Sequence, residues 1–185
     1  MYKIVQWNES LDLTAFYKVA DCKGFENNAS QAKMIDCFRK EREWGAWILY
    51  YDDVAVGSVA AHSFDDVMGT NSYRIATRTC VFSDLLPARS LRTRNQIITH
   101  QHATAQFLIP ACIEWAPKDA NLYITTNENS VGTQQLVHRL FAPAMEASGQ
   151  MKKIKDVVYR DTQQTVWQIF PDKFYSELSK YPKWD

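Results

Sequence analysis

The apolar positions of this chain repeat in two ways: at every second residue in some runs, at every third or fourth in others. Tyr2–Trp7 (YKIVQW) alternates and predicts a strand. Asn8 and Ser10 can cap a helix whose face is Leu11, Leu13, Phe16, Tyr17 and Ala20, closed by Lys23 and Gly24. Residues 28–43 predict a second helix, with Ala32, Met34, Ile35 and Phe38 as a narrow stripe and a charged, solvated end. Trp44–Tyr51 and residues 54–64 predict two strands of a β-hairpin turning on Asp52 and Asp53. Gly57 marks a bulge or a close backbone approach in the second of them. Residues 65–71 (DDVMGTN) predict a turn, and 72–82 (SYRIATRTCVF) a third strand of the same meander.

A long helical run follows at 95–115, with Ile98, Ala105, Leu108, Cys112 and Trp115 on its buried stripe and Pro110 kinking or dividing it. Residues 122–126 (LYITT) predict a strand reached by this helical crossover, and hence parallel to strand 72–82. Another helix is predicted at 131–148, bent at Pro143 and stopped at Gly149. Strands at 154–159 and 165–170 flank the polar loop RDTQQ, and Pro171 opens a terminal helix. The fold class that results is α/β, with an α+β mixed sheet in a single domain over 1–185.

Composition narrows the function classes. With 185 residues, 46% apolar and 23% charged, the chain can build one proper core. Lys plus Arg balances Asp plus Glu at 21 each, which makes nucleic acid an unlikely partner for the chain as a whole. Cys22, Cys37, Cys80 and Cys112 form neither a CxxC pair nor a disulfide framework, and free thiols suit a reducing compartment. No apolar run is long enough to span a membrane, and the N-terminus carries no signal-peptide pattern. The expected localisation is cytoplasmic by elimination, and a homodimer is left open.

The stretch 72–115 concentrates the candidate chemistry. A strand that turns abruptly into a helix leaves the first helical amides free to meet an anion. Arg89, Arg92 and Arg94 lie in the intervening loop, either as an anion site or as a solvated loop with surface ion pairs. Arg74 and Arg78 share a strand face, where they extend a basic surface or pair across strands with residues such as Asp52 or Asp65. His100 and His102 point to different helix faces, and His62 with Asp65 has no third ligand, so no metal site is expected. Cys80 reads as a small core residue more readily than as a working thiol.

The element order is strand, helix, helix, three meander strands, helix, strand, helix, two strands. It resembles the GNAT superfamily of acyl-CoA N-acyltransferases over residues 2–170, as β-α-α-β-β-β-α-β-α-β-β. The hairpin WILYYDDVAVGSVAAHSF, the loop PARSLRTR and the segment LYITTNENSVGTQQL carry the likeness locally. The resemblance implies a central mixed sheet splayed between strands 4 and 5. It implies acetyl-CoA or another acyl-CoA as co-substrate and a small-molecule or peptide amine as acceptor. Main-chain groups near Phe82, Ser83 and Asp84 would take the pantetheine arm. Arg89, Leu91, Arg92, Thr93 and Arg94 would form the phosphate loop, and Asn129 would meet the cofactor. Three positions depart from the family pattern: Arg92 and Arg94 stand where it has small residues, and Leu136 where it often has a general-acid tyrosine. His138, in the helix that borders the implied cleft, is either an acid or base or a partly buried polar side chain. An N-acyltransferase and a catalytically degenerate module that binds a ligand or a protein are the two leading readings, and a nucleic-acid contact through the arginine face, against which the neutral net charge argues, is the third.

Overall fold

The computed structural model describes residues 1–7, 43–79, 104–127, 137–159 and 161–180. Its seven strands make one sheet in the order β1-β2-β3-β4-β5-β7-β6. They are β1 (Tyr2–Trp7), β2 (Trp44–Tyr51), β3 (Val54–Ser63), β4 (Ser72–Thr79), β5 (Asn121–Thr126), β6 (Met151–Tyr159) and β7 (Thr162–Ile169). Neighbours run antiparallel except β4 and β5, which pair in parallel as the helical crossover requires. The predicted helices at 8–24 and 28–43 lie outside the described residues, apart from Glu43.

The β2–β3 hairpin turns on Asp52 and Asp53, both at positive φ (46° and 65°), the backbone that a two-residue turn needs to match strand twist. Leu49 pairs with Gly57 and Tyr50 with Ala55, so a bulge falls at Val56, beside Gly57. Gly45 in β2 is a close approach: a Cβ there would meet the Trp47 ring at 2.7 Å and the Trp115 ring at 3.2 Å.

Four boundaries differ from the sequence reading. β3 stops at Ser63, because the Phe64 N–H bonds to Ser72 O and the chain enters a short helix, α1 (Asp65–Met68), where a plain turn was expected. β5 begins at Asn121, whose side chain meets Gln168. β6 begins at Met151. The polar loop RDTQQ shrinks to two residues, since Tyr159 pairs with Thr162 and Asp161 takes positive φ (60°). Thr162, Gln163 and Gln164 are strand residues, the first two exposed and the third half-buried, which explains their polarity.

One face of the sheet is covered by helices. A π-helical turn (Thr104–Leu108) leads into α2 (Ile109–Trp115), and a second (Val137–Phe141) leads into α3 (Ala142–Ala147). Leu108, Ile109 and Cys112 are buried against Trp47, Val59 and Ile75 of the core, and Trp115 is half-buried. Ile98 lies outside the described residues. Gly149 (φ 76°) ends α3, and α4 (Pro171–Leu178) seals the same core with Phe174. Phe64, Tyr123 and Val166 pack together as a smaller second cluster, which Val67, Met68, Val157 and Tyr159 flank.

Candidate active site

The parallel ladder between β4 and β5 is short. It pairs Ser72–Ile75 with Asn121–Ile124 and goes no further. Both strands continue: β4 stays on β3 as far as Thr79, and β5 stays on β7 as far as Thr126. The two halves of the sheet therefore part after Ile75 and Ile124, leaving a seam in its middle. Past that point the β4–β5 register supplies no partners for the facing main-chain groups, which can serve a ligand instead.

Polar side chains stand on both faces of this seam. On the first, Arg74 is 8% exposed and His62 is fully buried. The Arg74 Nε–H donates to Thr125 Oγ1 at 2.8 Å, and its guanidinium lies over the Tyr159 ring, 5.0 Å from the centroid. Arg74 thus does not extend an exposed basic surface, and its contacts include Thr125, His62 and Tyr159. Asp52 instead meets the Met1 amine, and Asp65 accepts the Ser72 N–H. His62 Nδ1 is 2.7 Å from Ser63 O. A carbonyl only accepts, so Nδ1 carries the proton and Nε2 faces Arg74 Nη1 as an acceptor at 3.4 Å.

Beside the main core, the Trp167 Nε1–H donates to Thr126 Oγ1 at 2.8 Å, and the same oxygen is 2.8 Å from His138 Nδ1. Indole N–H can only donate, so one lone pair of Thr126 is fixed. The hydroxyl therefore holds the half-buried His138 ring by Nδ1 and leaves Nε2 without a partner among the described residues. Asp156 faces the same region. Hydrogen bonds from Thr165 and Lys153 hold its carboxyl below the usual carboxylate range, and the charge of His138 adds to this. Burial pushes the Cys112 thiol well above the ordinary thiol range, so it stays neutral in the core.

Of the site residues implied by the resemblance, His138 is the one among the described residues, and it joins the seam through Thr126. Phe82, Ser83, Asp84, Arg89, Leu91, Arg92, Thr93, Arg94 and Asn129 lie outside the described residues, as do Cys80, His100, His102 and Leu136. Sequence reasoning missed Thr125, Thr126 and Trp167, because hydroxyl and indole groups in apolar strands carry no local signal.

No protein-family model matches the sequence, and no curated protein matches it in sequence. Solved structures match in shape. An acyl-CoA N-acyltransferase from Pseudomonas aeruginosa superposes with a TM-score of 0.54 at 9% identity, over 92% of this chain and 100% of that one. An aminoglycoside acetyltransferase in complex with coenzyme A gives 0.60 at 10% identity, over 95% and 98%. The ribosomal-protein-S18-alanine N-acetyltransferase from Escherichia coli gives 0.54 at 8% identity, over 91% and 93%. Together with the strand order and the parallel pairing of β4 with β5, this likeness shows that the chain has the GNAT, or acyl-CoA N-acyltransferase, fold.

Proposed function

We propose that this chain is an acyl-CoA-dependent N-acyltransferase acting on a dedicated amine. The observation that carries the reading is the seam: a parallel pair that ends at Ile75 and Ile124 while both strands run on. An extended pantetheine arm can add its amides to the strand edges there, as a peptide adds to a sheet. The bound thioester supplies an activated carbonyl carbon, at which the amine forms a C–N bond as the C–S bond breaks.

The chain's own work is positioning and proton handling. Main-chain groups at Phe82, Ser83 and Asp84, beyond the end of β4, receive the arm. Arg89, Arg92 and Arg94, with Leu91 and Thr93 between them, receive the phosphates through side chains, since Arg92 and Arg94 replace the small residues that would let amides approach. Asn129 follows β5 and meets the same ligand. His138, held at Nδ1 by Thr126, takes the amine's proton or returns one to the leaving thiolate at Nε2. Leu136 has no hydroxyl for that task, a modest loss because a thiol's pKa of about 8.5 makes its anion a good leaving group near neutrality.

The test is acetyl-CoA with a broad amine panel, following release of free thiol. Turnover of one acceptor, or of a few related ones, is expected. Acetyl-CoA should also raise the melting temperature, and Arg89→Ala with Arg92→Ala should remove most of that rise. Binding without turnover of any amine would favour the second reading, a ligand-binding or interaction module, for which Arg92, Arg94 and Leu136 speak. No shift at millimolar acetyl-CoA would sink the acyl-CoA reading.

A further inference from the structure

We infer that Arg74 is a positioning residue that sets where the seam opens and how wide it stands; its bearing on acyl-CoA rests on the reading above. The backbone holds β4 to β5 only as far as Ile75 and Ile124. Beyond that point, separation depends on whatever crosses the gap. Arg74 is paired in register with Tyr123, yet its Nε–H reaches two residues forward to Thr125 Oγ1 at 2.8 Å. The bond therefore spans the seam one residue past the end of the ladder. It is charge-assisted and nearly excluded from water, with Arg74 8% exposed.

The guanidinium is a rigid plane, and its other contacts fix that plane. His62 on β3 faces Nη1 from one side, with its tautomer set by Ser63 O. The Tyr159 ring on β6 lies 5.0 Å away on another. Four strands, β3 to β6, are thus tied to one side chain at the point where the sheet divides. A lysine would offer a compact ammonium with no plane to orient, and could not reproduce the arrangement. A gap fixed in this way is ready before a ligand arrives, which spares the binding step an ordering cost.

Thr125→Val keeps the shape of the site and removes the acceptor, Thr125→Ser restores the hydroxyl, and Arg74→Lys keeps the charge. The full-length chain is compared by hydrogen exchange of residues 76–79 and 125–127 and by calorimetric titration with acetyl-CoA. Thr125→Val and Arg74→Lys should speed exchange in those two segments and leave residues 46–49 of β2 as in wild type. Both should weaken acetyl-CoA by about tenfold, the size expected for a lost hydrogen bond to a charged donor. Thr125→Ser should match wild type in both measurements. Unchanged exchange in Thr125→Val would overturn the inference, and so would faster exchange with undiminished acetyl-CoA affinity. A wild-type chain that binds no acetyl-CoA would remove the acyltransferase reading, while the exchange data would still decide whether Arg74 holds the seam.

Discussion

Two stretches of this molecule share one backbone plan and use it differently. Thr104–Leu108 and Val137–Phe141 are both five-residue π-helical turns, and each runs directly into an α-helix with proline second, Pro110 in α2 and Pro143 in α3. Proline brings no N–H, so a donor is missing where the chain changes from i→i+5 to i→i+4 bonding. Equivalent positions then diverge. Leu108, last of the first turn, is fully buried, while Phe141, last of the second, is 37% exposed. The first device packs a helix against β2, β3 and β4. The second leads Ala142 into the core and also carries His138 to Thr126. The same local irregularity serves the core before β5 and the site after it.

Cutting the equivalent side chains breaks this comparison most directly. Leu108→Ala should cost about 3 kcal/mol, as full core truncations do, whereas Phe141→Ala should cost under about 1 kcal/mol. Chemical denaturation of the two variants checks this, and equal losses would mean the turns do the same work. His138→Gln should lower turnover by about 10²-fold, the usual contribution of an acid or base, with little change in melting temperature. A large drop in melting temperature instead would make the second turn structural too. Thr126→Val leaves the Trp167 indole N–H buried without an acceptor and should cost about 1–2 kcal/mol. Its pH profile of turnover should also shift from wild type, since His138 loses its orienting oxygen.

The smallest effect belongs to Asp156, an exposed carboxylate, whose replacement by Ala should cost at most about 0.5 kcal/mol. Its folded pKa is lowered, so its stabilisation is present above the ordinary carboxylate pKa and disappears as pH falls through the folded value. Wild type and Asp156→Ala should therefore converge in stability at acid pH. A gap that persists there would show that the carboxylate acts by packing.

Much of the fold was legible because alternation and turn residues report it locally. Asp52-Asp53 marked the hairpin, Gly57 the neighbourhood of the bulge, and a helix between two strands their parallel pairing. The site was harder. An arginine on a strand reads as solvated, and nothing near Arg74 in sequence announces that its partners come from β3, β5 and β6. Thr126, His138 and Trp167 meet only because β5 lies beside β7 and precedes the second π turn. Thr162, Gln163 and Gln164 were read as loop because the solvated end of a strand has the composition of one.

The last strand of the sheet order has a consequence for how the protein behaves in bulk. β6 ends the row formed by the described strands, and its Val158 is 75% exposed. Such a margin invites a strand from another molecule to dock and begin a fibre. Lys152, Lys153 and Lys155 are exposed along it, and Ile154 is an extra residue that throws the strand out of step between Lys153 and Lys155. Each like-charged pair brought together by end-on stacking would repel, and the bulge spoils the regular spacing a growing fibre copies. Replacing Lys152, Lys153 and Lys155 with threonine should therefore raise association at high concentration, which light scattering checks.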